Sequence, residues 1–250
     1  MNQGIIVIKI GSNVIFGNSA RVDLTVLENI ATEISALRAA GYGVVLVSSG
    51  AVAAGREQVG WGKDYSSAFL AAIGQARLTR CYQEIFKKHD IMMAQILLSG
   101  RDFYRARRLA TRQTLLELLR QGIVPVINEN DVVTARGGGF GNNDWLAALA
   151  AVNLKARAVV FMTNVDGVYS HDPAALGARL LAEIDSQSPT GDFNCLGKIS
   201  SLGKGGMASK VQAAASAVRA GSSAYIINGL VRGNLLSLFT KGRAVGTRVL

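Results

Sequence analysis

The chain has 250 residues and a formal net charge of +10, and 49% of its residues are apolar, which indicates a folded globular protein with a substantial core. No apolar run approaches the ~20 residues that a transmembrane helix requires, and residues 1–4 lack the basic and apolar regions of a signal peptide. Cys81 and Cys195 have no CxxC spacing and support neither a disulfide framework nor a zinc site, so we expect a reducing, cytoplasmic setting.

In chain order, short apolar runs alternate with segments whose apolar residues recur at helical spacing. The apolar runs predict strands at about 4–10, 44–47, 92–98, 123–127, 158–162 and 224–227, and an edge strand at 245–249. The periodic segments predict helices at about 24–37, after Gly50, and at 66–88, 110–120, 143–154 and 207–219. Buried strands that alternate with helices form a mostly parallel sheet covered on both faces. We expect an α/β fold with one domain over residues 1–250; the irregular segment 166–206 is the alternative place for a second lobe.

The positive charge favours anionic partners, which include nucleotides, acidic metabolites and nucleic acid. Arginine is dense between residues 101 and 120. A nucleic-acid surface would interleave aromatic residues with its basic ones, and here only Phe103 and Tyr104 do so. We interpret this segment as the solvated face of a helix and expect no nucleic-acid binding.

Small and polar residues follow several of the predicted strands, where open α/β sheets bind ligands. They are Lys9 with Gly11 and Ser12, the run Ser48-Ser49-Gly50, the segment Asn128-Glu129-Asn130-Asp131, and the pair Thr163-Asn164. The segment Gly141-Asn142-Asn143-Asp144 opens a predicted helix a dozen residues after the fourth strand. Backbone N–H groups in such turns can close on phosphate or carboxylate oxygens. The pattern therefore predicts a site for a small polar or anionic ligand.

Two lysines are unusual in this pattern. Lys9 lies near the end of a buried strand and needs an anionic partner, which is either a carboxylate of the protein or a bound ligand. Lys210 ends a glycine-rich turn that begins at Lys204 and enters a helix. The turn is not a Walker A loop, because Gly205 follows Lys204 where Ser or Thr is required. Two lysines that bracket a glycine turn nevertheless favour a phosphate ligand.

Other chemistries find little support. His89 and His171 have no metal-ligand spacing, and no G-x-S-x-G nucleophile motif is present. Lysines, glycine turns, asparagines and one or two aspartates suit phosphoryl transfer, which depends on positioning and charge neutralisation more than on covalent catalysis.

Several segments together resemble the glutamate 5-kinases, which belong to the amino acid kinases. In family order they are Lys9-Ile10-Gly11-Ser12, residues 47–56, Ala72-Ile73-Gly74-Gln75, residues 94–98 and 125–131, Gly167-Val168-Tyr169 with Asp172-Pro173, and Gly205-Gly206-Met207 with Lys210. The resemblance implies a three-layer α/β/α sandwich on a mainly parallel eight-stranded sheet. It implies ATP-dependent phosphorylation of the side-chain carboxylate of L-glutamate, in proline biosynthesis, by a homo-oligomer that is a dimer or tetramer.

The resemblance also assigns roles to individual residues. Lys9 and Lys210 would neutralise the transferring phosphoryl group, and Asp144 would orient both lysines. The residues that would hold glutamate, or the phosphoryl end through backbone N–H groups, are Ser49, Gly50, Asn128, Asp131, Asn143 and Gly11. The residues that would line the nucleotide site with the two lysines are Thr163, Asn164, Lys204, Gly205, Gly206 and Met207. Mg²⁺ would bridge the ATP phosphates, and no protein residue is assigned to it.

The chain departs from the family pattern at several positions. Asn142 and Asn164 stand where the family usually has aspartate, residues 136–140 replace a usually acidic segment, and Lys204 replaces a small residue. The sequence also leaves no room for the C-terminal PUA domain of many members, so we expect a short form. Two alternatives stay open: a kinase of this fold that acts on another carboxylate, and a catalytically silent binding or regulatory protein.

Overall fold

Runs of apolar, largely β-branched residues form the central strands of the sheet. Strand β1 (Ile5–Ile10), β2 (Gly43–Val47) and β5 (Ala158–Thr163) are buried along nearly their whole length. Burial on both faces is what strands of a parallel sheet require, because helices cover both sides. The computed structural model describes residues 2–17, 19, 21–60, 64–134, 142–185 and 206–250.

The other elements follow in alternation along the chain. The remaining strands are β3 (Met93–Leu98), β4 (Val124–Glu129), β6 (Val168–Tyr169), β7 (Leu180–Leu181), β8 (Glu183–Ile184), β9 (Ser223–Asn228) and β10 (Thr247–Val249). The helices are α1 (Ser12–Phe16), α2 (Leu24–Ala39), α3 (Ala51–Val59), α4 (Ser67–Lys88), α5 (Arg105–Arg120), α6 (Asp131–Thr134), α7 (Asn143–Leu154), α8 (Met207–Arg219) and α9 (Asn234–Thr240), with a 3₁₀ turn at Gly100–Phe103.

Within the described ranges, eight strands form one sheet in the order β3-β4-β2-β1-β5-β9-β10-β8. Neighbouring strands pair in parallel, except for the antiparallel pair of β9 and β10. Strands β6 and β7 form a separate antiparallel pair. The mainly parallel sheet with helices on both sides confirms the fold class that the sequence predicts.

Two hydrophobic layers cover the sheet, and the alternation of side chains along β1 divides its residues between them. Ile6, Ile8 and Ile10 pack in the layer that contains residues of α2 and α4. Val7 packs in the layer that contains residues of α7 and α8. Because successive strand residues point to opposite faces, Lys9 lies on the same face as Val7, toward α7 and α8.

The sequence predictions of individual elements hold with a few corrections. Strand β10 was predicted as an edge strand, and this is wrong: it lies between β9 and β8. The two-residue strand β8, in an irregular part of the sequence, is too short to give a pattern of its own. Helices α1, α6 and α9 were not predicted, and α5 begins at Arg105 rather than near 110. The single domain over 1–250 stays a prediction.

Helices α3 and α4 cross with their backbones in contact, and two glycines make this possible. A Cβ atom at Gly74 would lie 1.9 Å from the Ala51 carbonyl oxygen, and one at Gly55 would lie 2.0 Å from the Leu70 carbonyl oxygen. Only glycine leaves room for such an approach. The crossing brings the middle of α4 close to the carboxyl end of β4.

We expect Gly74→Ala to lower the free energy of unfolding by about 3 kcal/mol, because the added methyl group must force α3 and α4 apart. Urea denaturation followed by circular dichroism measures this change. The control is Gly60→Ala, where φ is +87° but a Cβ would meet nothing within 4 Å; backbone strain alone should lower stability there by about 1–2 kcal/mol. Equal losses in the two variants would contradict close helix packing as the cause.

Candidate active site

Asp144 lies between two lysines in the interior. Its Oδ1 is 2.8 Å from the Nζ of Lys9, and its Oδ2 is 3.4 Å from the Nζ of Lys210. Asp144 is 0% exposed, and the two lysines are 5% and 6% exposed. Lys9 comes from the end of β1, Asp144 from the first turn of α7, and Lys210 from the first turn of α8. The structure thus brings together all three residues that the sequence assigns to catalysis.

The electrostatics of this cluster favour a negatively charged ligand. Burial alone would raise the pKa of Asp144, but the neighbouring Lys9 and Lys210 lower this pKa below its ordinary value. Burial lowers the pKa of Lys210, and the charge of Lys9 lowers it further, while Asp144 opposes both effects. Two ammonium groups gathered at one buried carboxylate form an environment that attracts an anionic ligand.

Asn142 caps helix α7 at the edge of this cluster. Its Oδ1 accepts a hydrogen bond of 2.8 Å from the backbone N–H of Asp144. Its Nδ2 donates a hydrogen bond to the hydroxyl of Ser209 in the first turn of α8. Asparagine and aspartate cap helices about equally well. The departure from the family pattern at Asn142 therefore preserves the cap of α7.

A second group of polar side chains lies beside the end of β4. This strand continues two residues further than predicted, because Asn128 and Glu129 pair with Leu97 and Leu98 of β3. The backbone N–H of Glu129 donates to Oδ1 of Asn128 at 2.9 Å and to Oδ1 of Asn143 at 3.1 Å. The two asparagines assigned to the substrate therefore share one backbone donor.

Gln75 is a residue of this group that sequence reasoning missed. The Nδ2 of Asn128 donates a hydrogen bond of 2.7 Å to Oε1 of Gln75 on α4. This contact fixes which way the buried Asn128 amide faces. The only signal in the sequence was the segment Ala72-Ile73-Gly74-Gln75, which carried the family resemblance without a role for its last residue.

The two glycine turns have different local reasons for their glycines. Gly50 has a φ of 102°, and a Cβ there would lie 2.6 Å from Cε2 of Phe16. Gly11 has its N–H 3.3 Å from the Met162 carbonyl oxygen, to which it donates, and a Cβ there would lie 3.7 Å from Nζ of Lys9. We therefore expect Gly11 to provide space beside the ammonium group more than a donor of its own.

The remaining predicted site residues follow strands or begin helices. Thr163, buried at the end of β5, is followed by the exposed Asn164. Positions at the carboxyl edge of β2 and β4, or at the start of α8, are occupied by Ser49, Asp131, Gly206 and Met207. Lys204 and Gly205 lie outside the described residues. Because the strands concerned are parallel, their carboxyl ends share one edge of the sheet.

Part of the arginine-rich segment has a structural role. Arg108 donates from Nε to Oδ1 of Asn153 at 3.2 Å, and Arg112 donates from Nε to the Asn153 carbonyl oxygen at 2.9 Å. Asn153 lies in the last turn of α7, where cations interact favourably with the helix dipole. These two arginines therefore join α5 to the helix that carries Asp144.

A model of the amino acid kinase family matches residues 4–228. The chain belongs to the amino acid kinase family. It is 40% identical over 252 residues to the glutamate 5-kinase of Burkholderia ambifaria and 38% identical over 250 residues to that of Ralstonia pickettii. Each alignment covers 98% of this chain and 67% of the relative.

The fold comparison agrees with the family. The carbamate kinase of Giardia lamblia bound to AMP-PNP has a TM-score of 0.69 and 18% identity, over 99% of this chain and 98% of that one. At this identity the likeness shows the fold alone. Family and fold together confirm the resemblance that the sequence motifs indicate, and the chain is a phosphotransferase. None of the helices in the described ranges has the length and apolar character needed to cross a bilayer.

We expect Asp144→Asn to lower the free energy of unfolding at pH 7 by about 3–5 kcal/mol, because it leaves two buried lysines without their carboxylate. The pKa of Asp144 is lowered in the folded state, so its stabilisation is present above the ordinary value of 3.8 and is lost as the pH falls below it. Denaturant titrations of both proteins from pH 7 downward should therefore converge at low pH. A difference that is independent of pH would contradict this account.

Proposed function

We propose that this protein is a glutamate 5-kinase, which transfers the γ-phosphoryl group of ATP to the side-chain carboxylate of L-glutamate. The product would be glutamyl 5-phosphate, formed in the first step of proline biosynthesis. The observation that carries the proposal is the buried cluster of Lys9, Asp144 and Lys210 at the carboxyl edge of the sheet. The choice of L-glutamate as the substrate is based on the relatives that are named glutamate 5-kinase.

The charged cluster can reduce the electrostatic repulsion that opposes this reaction. The attacking carboxylate and the γ-phosphoryl group are both anionic and repel each other as they approach. Lys9 and Lys210 reach the site from β1 and from α8, so their ammonium groups can neutralise phosphoryl oxygens from two sides. Asp144 holds both ammonium groups through its two carboxylate oxygens.

The bond changes need no basic side chain. A carboxylate oxygen of glutamate attacks the γ-phosphorus and forms the new O–P bond, while the bond to the β-phosphate oxygen breaks and ADP leaves. The nucleophile is already ionised near neutral pH, because a glutamate carboxyl has an ordinary pKa of about 4.3. Catalysis can therefore rest on positioning and on fixed positive charge.

The polar group beside β4 would hold the substrate. We assign to glutamate Ser49, Gly50, Asn128, Asp131 and Asn143, with Asp131 pairing with the ammonium group. Turns with small side chains would receive the phosphoryl end and the nucleotide. These residues are Gly11, Thr163, Asn164, Lys204, Gly205, Gly206 and Met207.

We include Mg²⁺ in the proposal as a companion of ATP. Among the described residues, no group of three or more His, Cys, Asp and Glu side chains could hold a metal ion. Mg²⁺ would therefore be held mainly by phosphate oxygens and water. The ion would neutralise phosphate charge that the two lysines do not reach. We likewise propose a cytoplasmic homo-oligomer, a dimer or a tetramer.

The two alternative functions have weaker support. A different carboxylate substrate was suggested by Asn142 and Asn164, but Asn142 retains a helix cap that aspartate would also form. A catalytically silent protein would have no need for two lysines and an aspartate buried together. The geometry therefore favours an active glutamate kinase.

An assay of ADP release with a panel of amino acids, each with and without Mg²⁺, tests the proposal directly. We expect turnover with L-glutamate and Mg²⁺, and little with L-aspartate, whose shorter side chain places its carboxylate one methylene further from the γ-phosphoryl group. Turnover with another acid alone would support a different kinase. No turnover with any acid would support the silent protein.

We expect Lys9→Ala and Lys210→Ala each to lower kcat at least ~100-fold, because each removes a charge that stabilises the transition state. Both variants should stay folded, since the remaining lysine still pairs with Asp144. The control is Lys87→Ala, at an exposed position near the end of α4, which should leave kcat unchanged. Near-normal turnover in either site variant, with thermal unfolding as a check of folding, would refute the assigned mechanism.

A further inference from the structure

Asn142 connects the first turns of the two helices that carry the charged cluster. Its side-chain Oδ1 accepts the Asp144 N–H at 2.8 Å in α7, and its side-chain Nδ2 donates to the hydroxyl of Ser209 in α8. Asp144 follows Asn142 by two residues, and Lys210 follows Ser209 by one. The contact between Asn142 and Ser209 therefore spans the same gap as the ion pair of Asp144 and Lys210.

The ion pair by itself does not define the distance between these helices well. The Nζ of Lys210 is 3.4 Å from Oδ2 of Asp144, longer than a well-formed charged hydrogen bond of about 2.7–2.9 Å. A lysine ammonium group also ends a flexible stem and has no preferred direction of approach. A hydrogen bond between two short side chains fixed near their helix backbones is more restrictive.

Among the described residues, helix α8 receives no side-chain cap from its N-cap position. The residue at its N-cap position is Gly206, which has no side chain to accept from the first free N–H groups. The side chain of Ser209 instead makes its contact with α7. The contact with Asn142 is thus a restraint on the position of this helix end, one residue before Lys210.

We propose that Asn142 and Ser209 form an interhelical clamp that sets the position of Lys210 relative to Asp144 and to the phosphates of bound ATP. Both would be positioning residues, since they act through Lys210. This proposal rests on the proposed function for its kinetic consequences, and on the family's use of ATP for its binding consequences.

The amide suits this clamp better than a carboxylate would. An amide accepts with its oxygen and donates with its nitrogen, so it can cap α7 and bind Ser209 without adding charge. A carboxylate only accepts and would require the Ser209 hydroxyl to donate.

The variants Asn142→Ser, Ser209→Ala and their combination form a double-mutant cycle. Serine at position 142 keeps the helix cap but is too short to reach Ser209. Ser209→Thr keeps the hydroxyl and serves as the conservative variant. The matched control is Asp23→Ala, which removes the cap of α2, where the Asp23 side chain accepts from the N–H groups of Thr25 and Val26.

The readouts are the Kd of AMP-PNP with Mg²⁺ by titration calorimetry, and kcat and KM for L-glutamate. We expect each single variant to raise the Kd about 5-fold and to lower kcat about 10-fold, within the range of one net hydrogen bond. The KM for glutamate should stay within about twofold. The double variant should be no worse than either single variant, because both remove the same contact.

Several outcomes would overturn the clamp. They are wild-type values in both single variants, additive effects in the double variant, or a Ser209→Thr protein as impaired as Ser209→Ala. A change in Kd or kcat in the Asp23→Ala control would show that any lost helix cap has this effect. If the wild-type protein releases no ADP with glutamate, the proposed function fails, and the AMP-PNP cycle then decides the clamp alone.

Discussion

The burial of Asp144 between Lys9 and Lys210 is the constraint on which the rest of the site depends. Charges removed from water are tolerated only when they are paired with good geometry. The three residues come from one strand and two helices, and 66 residues separate Asp144 from Lys210. The sheet, the layer of α7 and α8 against it, and the caps of these helices must all be in place before the charges can meet.

Much of the fold could be predicted from local patterns. The bounds of α7 and α8 agree with the sequence prediction, because each helix follows a clear polar or glycine-rich start and continues as an alanine-rich run. The order of the strands in the sheet, and the place of β10 within it, depend on pairing between distant segments. A two-residue strand such as β8 gives no pattern that sequence reasoning could detect.

The candidate site, like the fold, could be predicted from the sequence only in part. Residue type and position drew attention to Lys9, since a lysine at the end of a buried strand needs an anionic partner, and to Lys210 beside its glycine turn, whereas the role of Asp144 was implied only by the family resemblance. Sequence reasoning left open whether that partner was a carboxylate or a ligand, and the structure supplies Asp144. Gln75 and Ser209 were missed as partners because their contacts with Asn128 and Asn142 exist only across packed elements. Asn142 was considered only as the replacement of a carboxylate by an uncharged amide, whereas in the structure its side chain accepts a hydrogen bond from the backbone N–H of Asp144.

The glycine crossing of α3 and α4 has a mechanical consequence. At Gly55 and Gly74 the two backbones touch directly, so at these points no side chain lies between the helices that could change rotamer to accommodate a shift. We therefore expect the two helices to move as one unit. The Gly50 turn immediately precedes α3, and Gln75, the partner of Asn128, lies on α4. A displacement of the Gly50 turn would therefore also displace the Asn128 amide, through α3, α4 and Gln75. The two sides of the proposed glutamate pocket, at the Gly50 turn and at Asn128, are thus linked through this close helix crossing.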